Sequence, residues 1–465
     1  MGAVKVTQVS ICPSEAASRK GRPVLTPELL AATGARYSRN NDGLEAILSK
    51  IDPGNLEKSV ESIFKMVDYG HQSIADMVPV AMFIDGVSTW LAYLVWTLCP
   101  TAGGQESSTR YLKITPDALA RPEALGIPER DVTEWRALMD DCFAAYQASL
   151  ALWENLAFER PGIIGIPKSL LGDPSHAAQK RVERMKRNYA FDRARYFLPA
   201  AAATNIMLVM SARGWVSLCQ HLLSHPLPEP RALGGAIRLE LEISAPRMTR
   251  HAKATEEWRQ AIEREFQKVV RMAAEPACRV SAEPSLEVTP PPGVSEAEFA
   301  EDLKTHTNRY APIGSALQRA SARFGWSGIA FAEIRDLNRH RTGTKYCPLA
   351  PGGFYYAGDQ MPGDADGSTI RGLAELGETG LSVNKAARER LRAGDPSYVY
   401  WTLMGTEFPF EHLTTADKFI YEAELRTGLG AHFRYAKHMR DALALFYARF
   451  PGTRSGILEG GAEPE

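Results

Sequence analysis

The run Met77-Val-Pro-Val-Ala-Met-Phe-Ile-Asp-Gly-Val-Ser-Thr-Trp-Leu-Ala-Tyr-Leu-Val-Trp-Thr-Leu98 decides the kind of fold to expect. It approaches the roughly 20 uninterrupted apolar residues that a membrane-spanning helix requires. Pro79, Asp85 and Gly86 interrupt it. The reading that accommodates them is a buried strand over Val78–Ile84, a turn at Asp85-Gly86 and a core helix from Val87. A strand and a helix joined in one apolar stretch belong to a globular α+β chain, so no membrane association is expected.

Upstream, Leu56, Val60, Ile63, Phe64 and Val67 recur at helical spacing, and Gly70 stands where a helix C-terminal glycine would. His71 then begins a loop. Downstream, Ala194 to His221 reads as a long, mostly apolar helix whose start is marked by Pro199 and whose polar interruption is Ser211 and Arg213. An arginine in such a stretch requires an anion or a carboxylate partner. The sharpest composition break lies between Glu275 and Gly293, where Pro276, Pro284 and Pro290-Pro291-Pro292 cannot sustain a helix. Ser295 with Glu298 three residues on predicts a capping box opening the next helix. These features divide the chain into a domain over 1–275, a linker over 276–294, a second domain over 295–451 and a Gly-rich, acidic tail over 452–465 that is expected to fray.

The bulk properties set bounds on function. A chain of 465 residues exceeds the usual size of one domain. Its formal net charge of -1 leaves no global field for nucleic acid or acidic membranes, so anion binding must rest on local clusters. Cys12, Cys99, Cys142, Cys219, Cys278 and Cys347 are scattered, without the close pairing of zinc or redox sites. Reduced thiols and a start, Met1 to Lys5, without signal-peptide features place the expected location in the cytoplasm.

The two halves echo one another in order. In the first, a helix over Val87–Leu98 leads into Gln105-Glu106-Ser107-Ser108-Thr109-Arg110-Tyr111, and a later helix carries Ser211-Ala212-Arg213. In the second, a helix over Ile329–Asn338 leads into Arg339-His340-Arg341, and a later helix carries Glu424-Leu425-Arg426. An ancient duplication accounts for this order.

Two clusters carry candidate chemistry. Arg335, Arg339, His340, Arg341 and Lys345 gather four fixed cations and an imidazole around one helix end; by itself such a charge run reads first as a solvated surface helix, and otherwise as a site for phosphate oxygens. Glu106 to Arg110, after Gly103-Gly104, offers an acceptor, hydroxyls and a cation, either a phosphate-and-ribose loop or a polar turn. No phosphate-loop or dinucleotide-fold glycine fingerprint occurs, and the ten histidines show no H-E-x-x-H spacing. Histidines such as His176, His306 and His412 read as satisfied loop or core residues, and no metal site is expected.

These motifs resemble the flavin-dependent thymidylate synthases, the ThyX family. The likeness rests on Gly70-His71-Gln72-Ser73-Ile74-Ala75-Asp76, on Gly86-Val87-Ser88 and on Glu106-x-Ser108-x-Arg110-Tyr111. It extends to Ala194-Arg195-x-x-Leu198-Pro199, Thr204 and Ser211-Ala212-Arg213, and so spans most of Leu56 to Glu242. The family couples an R-H-R triplet to its downstream E-x-S-x-R-Y. Here the first half reads Trp96-Thr97-Leu98 at the triplet's place, whereas the second half has Arg339-His340-Arg341 followed by no E-x-S-x-R. Each half keeps what the other has lost.

The resemblance therefore implies two ThyX-like domains, each a mixed or antiparallel sheet flanked by long helices, with a composite site. It implies that Glu106, Ser107, Ser108, Thr109 and Arg110 cradle dUMP, with Arg195 on its phosphate. Arg339, His340 and Arg341 would meet FAD, with His71, Ser73 and Arg213 lining that region, and Arg426, His432 and Arg434 are weaker second-half candidates. NADPH and methylenetetrahydrofolate enter as co-substrates, and two copies would assemble four halves as the family's tetramers do. No catalytic residue is assigned. The family's pyrimidine-polarising arginine, about three helical turns after its N-A-R motif, falls on Leu222 beside His221, and the asparagine is Ser211. Arg231 or a second-half arginine is the available substitute. Those departures keep two alternatives open: a flavin enzyme acting on another pyrimidine nucleotide, or a nucleotide-binding pseudoenzyme without turnover.

Overall fold

The computed structural model describes residues 4–11, 14–15, 19–20, 23–38, 43–52, 55–68, 72–274 and 281–461. Gly70, His71, Cys12 and Cys278 lie outside them, as does the start of the expected linker. The chain forms two compact units that are not consecutive in sequence. The first comprises 1–107, 120–127 and 203–266; the second comprises 108–119, 128–202 and 267–465. This partition cuts the chain differently from a linear boundary near 275, because 108–119 and 128–202 group with residues 267–465.

The fold is α+β, and both sheets are four-stranded and antiparallel. In the first unit the strands are β1 (Lys5–Val9), β2 (Pro79–Ser88), β3 (Gly103–Glu106) and β4 (Ala203–Ser211), in the order β1-β2-β4-β3. Buried and less buried residues alternate along β4, the period of a strand with one face on the core. The expected long helix from Ala194 to His221 is thus a short turn, strand β4 and then the helix Ala212–Ser224. A continuous apolar run does not distinguish strand from helix, and the polar interruption is a cap: Ser211 Oγ accepts from the Gly214 N–H at 3.2 Å.

The expected turn at Asp85-Gly86 is a bulge. Gly86 has φ 76°, a conformation that costs glycine little, and β2 shifts register there and continues to Ser88. Ser88 then caps the helix Thr89–Leu98, its Oγ accepting from the Leu91 N–H at 3.0 Å. Buried Glu229 accepts from the Ser88 N–H at 2.7 Å and from Ser88 Oγ at 2.8 Å. Under the sheet, Trp215 is fully buried and donates its indole N–H to the Val80 carbonyl at 3.1 Å.

In the second unit, β5 (Pro284–Thr289), β6 (Ser321–Ala330), β7 (Thr344–Tyr346) and β8 (Glu407–Thr415) take the order β5-β6-β8-β7. Strand β5 lies inside the expected Pro-rich linker. Pro284 opens an edge strand, where a residue without an N–H is tolerated. The capping box is present, with the Ser295 N–H on Glu298 Oε2 at 2.7 Å at the start of the helix Glu296–Asp302. Strand β6 runs on to Ala330, so the helix expected from Ile329 spans Phe331–Asn338. The tail does not fray where it was expected to begin: Thr453 and Ile457 are buried, and the Leu458 N–H donates to Glu424 at 2.8 Å.

The two sheets share one plan. In each, an edge strand joins a long bulged strand that feeds a helix, and a nine-residue strand feeds a second helix. Ser211 at the end of β4 corresponds to Thr415 at the end of β8, through pairings Pro79↔Ser211 and Ser321↔Thr415. Among the described residues, no helix is long and apolar enough to cross a membrane.

Candidate functional site: an arginine cluster around Asp336

Strand β6 delivers the helix Phe331–Asn338 into the interior of the second unit, and that helix presents two acids from buried positions. Glu333 is fully buried. Its Oε2 accepts from the Ala330 N–H at 3.1 Å and its Oε1 from the Tyr196 hydroxyl at 2.8 Å. Arg434 Nε stands 3.5 Å from the same carboxyl and its guanidinium lies over the Tyr355 ring. Burial, opposed by Arg434 and Arg195, pushes the Glu333 carboxyl up to about 7.

Asp336, one helical turn further on, is the hub of the cluster. Arg195 Nη2 approaches its Oδ2 at 3.6 Å, and Arg339, three residues along the helix, is ion-paired with its Oδ1. Burial raises this carboxyl, but Arg339, Arg195, Arg426 and Arg110 together outweigh burial and hold it well below the usual carboxylate range. Arg195 is 2 % exposed, and among the described residues its Nε and Nη2 have no hydrogen-bond partner. An arginine sealed away with unsatisfied N–H groups is a site prepared for an anion or held at a cost to stability.

Arg110 grips Asp192 with a bidentate fork, Nε to Oδ1 and Nη2 to Oδ2 each at 2.8 Å, and its Nη1 donates to the Gly430 carbonyl at 3.0 Å. Its own loop is folded by the Arg110 N–H on Ser108 Oγ at 3.2 Å, with Thr109 buried. His432, fully buried, contacts the Asp192 carbonyl through Nε2 at 3.1 Å.

The three residues of the R-H-R triplet point to different environments. Arg339 is about one-third exposed beside Asp336. His340 is buried and accepts at Nε2 from Arg426 Nε at 2.8 Å. Burial, with Arg426 and other cations against Glu422, drives His340 down to about 3, so it is neutral. Arg341 is exposed.

The structure thus gathers Ser108, Thr109, Arg110, Arg195, Arg339, His340, Arg341 and Arg426 in one unit, together with Arg434 and His432. Glu106, Ser107, Ser73 and Arg213 belong to the other unit. There, Glu106 accepts from the Trp96 indole N–H at 3.1 Å. Arg213 has the carboxylate partner its position demanded, Asp76 at 2.9 Å, which Ser211 Oγ also reaches at 3.3 Å. Leu222 is fully buried, and Arg231 is spent on the His225 and Pro226 carbonyls, so neither supplies a cation to a pyrimidine. The residues that sequence reasoning missed are the acids Asp192, Glu333 and Asp336. For Asp336 a signal existed, an acid three residues before Arg339 on one helix face; nothing local marked the others.

Fold and geometry define an α+β chain in which one buried and three half-buried arginines surround the carboxylate of Asp336. Residues 24–247 match the family model described as thymidylate synthase complementing protein. The chain is 25% identical over 232 residues to the UPF0159 protein Ta1429 of Thermoplasma acidophilum, covering 46% of each; it spans about half the length of this curated relative. Among solved structures it is similar to a UMP/dUMP methylase, PolB, from Streptomyces cacaoi bound with 5-Br dUMP. That similarity has 16% identity, 54% of this chain and 95% of that chain covered, and a TM-score of 0.31.

Proposed function

We propose that the protein is a thymidylate-synthase-like enzyme that reductively methylates dUMP to dTMP, with methylenetetrahydrofolate as one-carbon donor and reduced FAD, recharged by NADPH, as reductant. The observation that carries the reading is the convergence of Arg110 and Arg195, from the family-matching segment, with Arg339 and Arg426, from the C-terminal half, on Asp336. The guanidiniums of Arg110, Arg195, Arg339 and Arg426 outnumber the carboxylates of Asp336, Asp192 and Glu422 that face them, an excess of fixed positive charge suited to a phosphate. In this reading Arg110 and Arg195, with Glu106, Ser107, Ser108 and Thr109, bind the nucleotide, and Asp192 holds the Arg110 fork in plane until the phosphate replaces it.

The shared plan of the sheets supports a substitute for the missing pyrimidine arginine. Leu222 lies 11 residues after Ser211, and Arg426 lies 11 residues after Thr415, at the corresponding point of the second half. Arg426 then places fixed positive charge where the pyrimidine becomes anionic, a preorganised electrostatic role. The shared plan likewise supports a chain of two related halves, the second opening with β5 inside the span 276–294, and we extend it to two copies assembling four halves.

Exposed Arg341 and partly exposed Arg339 fit a phosphate-bearing cofactor, because both can exchange solvent for phosphate oxygens. They would hold FAD with His340. When bound, the flavin supplies the hydride. The chain's own work is to orient two planar rings, exclude water and present fixed charge.

The test is an absorbance spectrum of the purified protein with added FAD, repeated for Arg339→Ala and Arg110→Ala, followed by a dUMP methylation assay and a pyrimidine nucleotide screen. Flavin bands lost in Arg339→Ala but kept in Arg110→Ala, with dTMP formed by the wild type, are expected. No flavin retained under saturating FAD refutes the reading, and turnover only on another nucleotide moves it to that substrate.

A further inference from the structure

The loop Arg339–Gly343 that carries the R-H-R triplet is held by three buried or half-buried polar side chains that no part of the proposed chemistry uses. His412, on β8 and fully buried, meets the Thr342 carbonyl with Nε2 at 2.8 Å. A carbonyl only accepts, so the proton sits on Nε2. The other ring nitrogen, Nδ1, faces Glu422 Oε2 at 3.0 Å, and Glu422 is itself fully buried on the helix Ala416–Thr427. Lys345, the cross-strand partner of His412, donates from Nζ to the His340 carbonyl and, at 3.1 Å, to the Thr342 carbonyl. The second Glu422 oxygen stands 3.8 Å from His340 Nε2.

The first half of the chain is an internal control for what these residues do. By strand register, His412 corresponds to Leu208 and Lys345 to Gly104. Counting from the helix caps Ser211 and Thr415, Glu422 corresponds to Leu218. The first sheet builds the same plan with Leu208, Leu218 and Gly104, beside a loop that reads Cys99-Pro100-Thr101-Ala102. The fold therefore does not need the polar trio. Burying an acid, an imidazole and an ammonium costs several kcal/mol of desolvation before their mutual attraction is counted. That cost is accepted only in the half whose loop carries Arg339, His340 and Arg341.

We propose that Glu422, His412 and Lys345 are positioning residues that set the R-H-R loop for a phosphate-bearing cofactor, by fixing the carbonyls of His340 and Thr342 so that the arginines face the ligand. The identity of that cofactor as FAD rests on the function proposed above; the positioning role does not.

The test uses the full chain with FAD and with inorganic pyrophosphate as probes, following binding by absorbance or calorimetry and folding by thermal melting. The variant Glu422→Leu/His412→Leu installs the residues of the first half. It is expected to melt no lower than the wild type and to bind both probes at least tenfold more weakly, a combination that a merely structural role does not produce. Lys345→Met is expected to weaken binding and Lys345→Arg, which keeps donors for both carbonyls, to restore most of it; this pair decides the matter if the double variant fails to fold. Folded variants that bind both probes like the wild type overturn the positioning role and leave the flavin reading standing. A wild type that binds pyrophosphate but not FAD sinks the flavin reading while the comparison proceeds on pyrophosphate, and one that binds neither overturns both.

Discussion

Asp336→Asn tests the central cluster most directly. The substitution keeps size and shape but removes the one negative charge that Arg339, Arg195, Arg426 and Arg110 share. For Arg195 alone, at 3.6 Å, the attraction in a medium of effective dielectric near 20 is about 4–5 kcal/mol. Arg195 is 2 % exposed and cannot recover it from water. Removing one partner of a buried pair generally costs about 3–5 kcal/mol. A loss of that size lowers the melting temperature by roughly 6–20 °C for a unit of this scale. The assay is thermal melting of wild type and variant, with and without dUMP. If the cluster is an anion site, the nucleotide phosphate supplies the missing charge, so the stabilisation by dUMP should be larger in Asp336→Asn than in the wild type. A variant that melts with the wild type refutes the hub. A destabilised variant that dUMP does not rescue refutes the phosphate assignment.

Glu333 should register in the pH dependence of stability. Its folded value, about 7, lies above the ordinary 4.5, so its contribution is complete below about pH 4.5 and is lost as pH rises through about 7. At about 1.4 kcal/mol per unit the window holds roughly 3 kcal/mol. His221 and His225, lowered by burial to about 4 and about 3, act in the opposite sense, with stability lost as pH falls below 6.5. The wild-type curve mixes both, so the quantity to measure is the Glu333→Gln difference curve; a difference flat from pH 4.5 to 7 contradicts the assignment. Arg110→Ala strands Asp192, whose side chain is 2 % exposed, and should cost about 3–5 kcal/mol in chemical denaturation. Arg213→Ala breaks a pair that is nearly half exposed and should cost less than about 1 kcal/mol; equal losses would contradict the difference in burial. Gly343→Ala should destabilise the second unit and weaken FAD binding together, because φ is 61° there and an added Cβ would sit 2.1 Å from the Leu413 carbonyl oxygen. An alanine variant with unchanged melting and binding would show that the loop has another available path.

Sequence alone determined the class of fold, the family resemblance and the identity of the cations, since each rests on local patterns. Pro79, Asp85 and Gly86 excluded a continuous membrane helix. Ser295 and Glu298 marked a helix start through two hydrogen bonds formed within four residues. Glu-x-Ser-x-Arg-Tyr at 106–111 and Arg339-His340-Arg341 are legible because their chemistry sits in consecutive side chains. Boundaries inside apolar runs were not legible. The stretch after Ala194 satisfied a helix by composition, and only pairing of β4 with β2 and β3 made it a strand, because cross-strand hydrogen bonds come from residues about 100 or more positions away. Likewise, Pro284 suggested a linker until β6 supplied an edge for β5 to join. The acids of the site were decided by tertiary structure as well. Asp192, Glu333 and Asp336 are ordinary helix residues until burial removes water and brings arginines from distant segments against them, and a carboxylate's role then follows from which cations surround it rather than from its neighbours in sequence.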